Sequence, residues 1–97
     1  MTGTRRTTEG LDARRRKALY HAWHRGMREM DLLLGRFADS AIGDLPEAEL
    51  DDFELLLDLP DQDLFDWISG RDTVAINYDT DLFRRILDFH ESGQGLK

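Results

Sequence analysis

His21 and His24 stand three residues apart, the spacing at which two imidazoles on one helical turn can face a single metal ion. A usable site needs at least a third ligand of matched geometry, and none stands nearby. His90 has no serine or cysteine at a spacing that builds a nucleophilic triad. The carboxylates between Glu47 and Asp66 lack the Asp-x-Asp-x-Asp-Gly loop and closing glutamate of a calcium site. No G-x-G-x-x-G loop is present to cradle a dinucleotide. With no cysteine in the chain, disulfides, thiolate nucleophiles and cysteine-ligated zinc are excluded. These histidines and carboxylates therefore read as ordinary solvated groups, and the chain is not expected to be an enzyme or to hold a metal or a stable cofactor.

A different cluster stands out. In Arg25-Gly26-Met27-Arg28-Glu29-Met30-Asp31 a glycine interrupts an otherwise helical pattern and is surrounded by charge. Glycine inside a helix costs about 0.5 to 1 kcal/mol relative to alanine, so either the helix ends here or another backbone must come close at Gly26. Arg25 and Glu29 are four apart and can pair along one helical face, but such a pair contributes only roughly 0.2 to 0.5 kcal/mol. Stability alone explains the cluster poorly. From the residues alone, a helix boundary with a surface ion pair and a functional surface at Arg25, Gly26, Arg28, Glu29 and Asp31 stand equally open, since one exposed pair contributes little.

The second charged feature is Arg14-Arg15-Arg16-Lys17. Basic helices bind phosphate backbones, so a small nucleic-acid-binding regulator using this helix is the alternative function. The remainder of the chain opposes it. Residues 1–36 carry nine Lys/Arg against four Asp/Glu, whereas residues 37–97 carry four against sixteen. An acidic body beside the basic run repels phosphate and favours a partner of mixed charge, and the run itself reads as the solvated face of a first helix.

The elements that must position these groups follow from apolar periodicity. At 97 residues the chain fits one domain with one modest core. Residues 1–10 lack apolar periodicity and are expected to be a flexible arm; 11–92 form the domain, and 93–97 are a flexible tail. Leu11, Ala18 and Ala22, with Leu19 and Trp23 beside them, mark a first helix that ends at Arg25-Gly26. A second runs from about Met27 to Ile42 and is closed by Gly43. Pro46 suits the first position of a third helix with Leu50, Phe53, Leu56 and Leu57 on its buried face. Pro60 stops it, and Asp61 or Asp63 caps a fourth carrying Leu64, Phe65, Trp67 and Ile68 as core residues. Residues 71–78 are irregular, Val74 and Ile76 alternating like a strand that has no partner. Asp79 or Thr80 opens a fifth helix through Leu82, Phe83, Ile86 and Leu87. Five one-sided apolar helices on short connections predict an all-α five-helix bundle. No apolar run approaches the roughly 18 residues of a membrane span, and no apolar segment follows the N-terminus as in a signal peptide. A monomeric chain with no membrane insertion, in the cytoplasm, is the expectation.

Beyond these patterns, the string from Arg25 to Leu34, followed by Leu55-Leu56 and by Asp63-Leu64-Phe65-Asp66-Trp67-Ile68, resembles the flavinylation assembly factors of succinate dehydrogenase, the SdhE family of bacteria and its mitochondrial counterparts. The likeness extends over about residues 12–90; Met30 stands where leucine is more usual, a volume-conserving difference. It implies a non-catalytic helper that binds the flavoprotein subunit of succinate dehydrogenase, or of the related fumarate reductase, and promotes covalent attachment of FAD to a histidine of that subunit. It also implies that Arg25, Gly26 and Glu29 belong to the surface required for flavinylation. The physical reading agrees: Gly26 admits a partner's backbone, Arg25, Arg28 and Glu29 offer charge-assisted hydrogen bonds, and Asp31 orients one of the arginines.

Overall fold

The computed structural model describes residues 9–92, so the expected tail at 93–97 and all but residues 9 and 10 of the expected arm lie outside the described residues. The architecture is all-α, as predicted: α1 (Ala13–Trp23), α2 (Arg28–Ala41), α3 (Glu47–Leu57), α4 (Asp61–Ile68) and α5 (Asp81–Glu91), with a single 3-10 turn at Ile76–Tyr78. Each start has a local cause. The Asp12 carboxylate accepts the Arg15 amide at 2.8 Å and caps α1, and the Thr80 hydroxyl accepts the Phe83 amide at 3.1 Å and caps α5. Pro46 and Pro60 both stand just outside α3 and α4, with ψ of 156° and 142°. Pro46 is therefore one position earlier than expected. Asp61 is the first residue of α4 and not its cap, because its carboxylate is engaged elsewhere in the fold.

α1 lies against α2 and α3, and α5 closes the bundle against α2, α3 and α4. The shared core holds Leu19, Met30, Leu34, Phe53, Leu64 and Phe83, none more than 2% exposed. α4 contributes less than its composition suggests. Leu64 and Ile68 are buried, while Phe65 and Trp67 are half-buried along the flank. Trp67 rests against Tyr78 and Phe83, ring centroids 5.7 and 6.3 Å away. No strand forms among the described residues; Val74 is half-buried against the core, whereas Ile76 is 88% exposed on the 3-10 turn.

α1 and α2 come close at Gly35. The Trp23 ring lies directly over Gly35, where a Cβ would meet three ring atoms at 2.3, 2.5 and 2.7 Å. The indole N–H donates to Asp39 Oδ1 at 3.1 Å. Trp23 is thus pinned at the end of α1, immediately before the charged loop.

Candidate functional site

The connection between α1 and α2 is built around Gly26. α1 ends at Trp23 with His24 as its cap, and Gly26 takes a φ of +100°, a conformation that side-chain-bearing residues rarely adopt. Of the two reasons anticipated for this glycine, the turn is the one within the chain: a Cβ here would meet nothing within 4 Å. Gly26 is exposed, and its bare backbone faces open space. Met27 is extended and leads into α2, so Arg28 and Glu29 occupy the first helical turn. Both are exposed and neither forms an ion pair among the described residues. Glu29 and Asp31 sit at the positive end of the α2 dipole, where carboxylates are stabilised.

Arg25 departs from expectation. It does not pair with Glu29, because the two lie on opposite sides of the left-handed turn and do not share a helix. Its side chain is only 8% exposed and crosses to the α3–α4 connection. There Nε donates to Asp61 Oδ1 at 2.7 Å, Nη2 donates to the Leu59 carbonyl at 2.5 Å, and Nη1 donates to the Leu57 carbonyl. The Arg25 amide also donates to Asp31 Oδ1 at 2.5 Å. Asp31 therefore holds an arginine as anticipated, but through its main chain. The side-chain groups turned to solvent at this site are those of Arg28 and Glu29, beside the naked backbone of Gly26.

Sequence patterning did not single out Asp61, Leu57 or Leu59 for this role. An aspartate after a proline at a helix start reads as a cap, and backbone carbonyls of leucines carry no signature.

The histidines have local roles. The His24 ring stacks on Tyr20, centroids 3.9 Å apart with 16° between planes, and its Nδ1 lies 2.7 Å from the Tyr20 carbonyl. A carbonyl only accepts, so Nδ1 carries the proton. Among the described residues no group of three side chains is arranged to hold a metal ion. His90 lies on α5, its Nδ1 buried without a hydrogen-bond partner.

The basic run is in part the solvated face it was expected to be, Arg16 and Lys17 being exposed, but Arg14 and Arg15 are half-buried against the fold. Arg14 forks onto Glu54 through Nε at 2.8 Å and Nη2 at 2.7 Å and also contacts Asp51, tying α1 to α3. That guanidinium holds the Glu54 carboxyl below its ordinary value, and the same hydrogen bonds raise the pKa of Arg14. Arg15 donates to the Ile42 and Leu45 carbonyls at 3.0 and 2.6 Å, and to Asp12. Arg16 donates to the Leu11 carbonyl at 2.6 Å. All three arginines bind the chain's own acceptors, so the run is not free to follow a phosphate backbone, and the nucleic-acid alternative has no support in the geometry.

Residues 16–90 match the family model described as flavinator of succinate dehydrogenase. A mitochondrial succinate dehydrogenase assembly factor 2 of Dictyostelium discoideum is 41% identical over 76 residues, covering 78% of this chain and 54% of that protein. The FAD assembly factor SdhE of Acetobacter pasteurianus is 36% identical over 80 residues, covering 82% of this chain and 73% of its own length. Succinate dehydrogenase assembly factor 2 of Mycosarcoma maydis is 41% identical over 73 residues, 75% of this chain and 31% of that one. The chain thus spans about half the length of the Dictyostelium relative and less of the Mycosarcoma one.

Proposed function

Because the chain belongs to the family of succinate dehydrogenase flavinators, we propose that it is an assembly factor that binds the flavoprotein subunit of succinate dehydrogenase and promotes covalent attachment of FAD to it. The same reading extends to the related fumarate reductase subunit. The observation that carries it is the open backbone at Gly26, where a Cβ would meet nothing within 4 Å, flanked by the exposed charges of Arg28 and Glu29, which form no ion pair among the described residues. A polypeptide can approach such a notch to backbone contact, while the arginine and glutamate on either side offer a donor and an acceptor that fix its orientation.

In this mechanism the bond-forming chemistry belongs to the partner's flavin and histidine. The chain holds no FAD stably of its own. It raises the rate by binding the assembly-competent conformation of the flavoprotein more tightly than other conformations, so that ring and histidine stay aligned. Arg28 and Glu29 contact the flavoprotein directly, whereas Arg25 and Asp31 act from behind the loop. The chain works as a monomer before association, in the compartment where the flavoprotein folds: the cytoplasm of a bacterium or the mitochondrial matrix of a eukaryote. No helix of the described residues is long and apolar enough to cross a membrane.

Co-expression of the flavoprotein subunit with and without this chain, scored by flavin fluorescence on denaturing gels, tests the reading. Covalent flavin should rise with the wild-type chain and fall back with Gly26→Trp or Glu29→Ala, both of which should keep helical circular dichroism. Equal covalent flavin in all four samples would overturn it.

A further inference from the structure

We propose that Asp61, at the start of α4, is a positioning residue for the docking loop: it anchors the Arg25 guanidinium, and through it holds Gly26 in the shape the flavoprotein recognises. This rests on the docking role proposed above and adds a residue outside the charged cluster to it.

Residue 25 is fastened at both ends. Asp31 takes its amide at 2.5 Å, while Asp61 and the Leu59 carbonyl take its guanidinium at 2.7 and 2.5 Å. The next residue is the chain's freest kind of backbone, a glycine at φ +100° with no neighbour within 4 Å of a Cβ. Nothing on the solvent side holds Gly26, so its geometry is set from beneath. A loop ordered before association binds more tightly than one that must be ordered by the partner. The Arg25–Asp61 pair supplies that order across 36 residues of sequence. Asp61 itself is 15% exposed at its side chain, too covered to serve as the main contact. The neighbouring Asp63, on the same turn of α4, is exposed and takes part in no ion pair among the described residues.

Asp61 opens the helix that carries Leu64-Phe65-Asp66-Trp67, so it ties the first of the strings that resemble the flavinylation factors to the helix of the last. The first presents the docking surface. Asp61 and the Leu57 and Leu59 carbonyls, just ahead of the last string, fix the height and direction of that surface.

The test compares Asp61→Asn, Asp63→Asn, Arg25→Lys and Glu29→Ala in the full chain. The readout is affinity for the purified flavoprotein subunit, measured by calorimetry at a temperature where circular dichroism shows every variant folded. Asp61→Asn should weaken binding about fivefold, since a neutral amide replaces a charge-assisted acceptor, and Asp63→Asn should change it less than about twofold. Asp61→Asn and Arg25→Lys together should be no weaker than the worse of the two, whereas Asp61→Asn and Glu29→Ala should multiply. Hydrogen exchange on the wild-type chain alone gives a check without mutation: the Arg25 amide should be protected well beyond that of a solvated loop.

Equal effects of the two aspartate substitutions, multiplication of the Asp61 and Arg25 effects, or an unprotected Arg25 amide would each overturn the proposal while leaving the docking role standing. Failure of the wild-type chain to bind the flavoprotein would overturn both.

Discussion

Gly35→Ala exposes the tightest constraint in the fold and its cost can be worked from the coordinates. The added methyl would lie 2.3 to 2.7 Å from three atoms of the Trp23 ring, whereas carbon atoms in good contact are about 3.5 to 4.0 Å apart. The indole or the α2 axis must therefore retreat by more than about 1 Å. Trp23 is buried, 6% exposed, so the overpacking costs about 1 to 3 kcal/mol. A shift of that size also strains the 3.1 Å bond from the indole N–H to Asp39, a further loss of about 0.5 to 1.5 kcal/mol. Alanine returns about 1 kcal/mol through its better helix propensity. The net expectation is a destabilisation of about 2 kcal/mol, which for a domain of this size lowers the melting temperature by about 10 °C. Urea unfolding followed by circular dichroism measures it, and tryptophan fluorescence should show the Trp23 environment altered before the transition. A Gly35→Ala chain as stable as wild type, or more stable, would refute the reasoning, because propensity would then outweigh the steric conflict.

At Gly26 the cost has a different source. Its surroundings are open, so Gly26→Ala carries only the backbone cost of a positive φ, about 1 to 3 kcal/mol, and Gly26→Asn should be milder because asparagine tolerates that region; denaturation midpoints in the order Gly, Asn, Ala would bear this out. Arg25→Ala leaves the Asp61 carboxylate and two carbonyls without their donor, and a loss of about 3 to 5 kcal/mol is expected from breaking a buried pair, read by the same unfolding titration. The Glu54 carboxyl is held below its ordinary 4.5 by Arg14, so its ionised form stabilises the fold. That contribution is complete above the ordinary value and is lost as pH falls through the lowered one. Urea midpoints recorded from about pH 3 to pH 7 should therefore drop more steeply on the acid side for wild type than for Arg14→Gln.

The helices themselves were legible in the sequence because each reads out from neighbours within a few residues. Apolar steps of three and four marked the buried faces of α1, α2, α3 and α5, Thr80 marked a cap, and Pro60 and Gly26 marked stops. The errors were of the same short range, Pro46 by one position and Asp61 as a cap, while Phe65 and Trp67 pack against the core but stay half-buried. Periodicity reports which residues share a face, and it cannot report how deeply that face is covered by elements elsewhere in the chain.

The charge pattern was misread for a related reason. A basic N-terminal segment and an acidic remainder look like two surfaces when set out along the chain. In three dimensions α1 lies against α3, so Arg14 meets Glu54 and Asp51, and Arg15 finds the Ile42 and Leu45 carbonyls. Folding turns part of the apparent nucleic-acid-binding run into a half-exposed clasp between α1 and α3, since opposite charges far apart in sequence lower their energy by meeting.

The sequence by itself determined that Gly26 is special, because a glycine within a helical pattern is a local anomaly. Only the tertiary structure decided how those neighbours divide the work. Arg25 turns inward to Asp61 while Arg28 and Glu29 turn outward. Which way an arginine points depends on acceptors brought within reach by the packing of α4 beside the loop, and those acceptors, two of them backbone carbonyls, have no address in the linear order of residues.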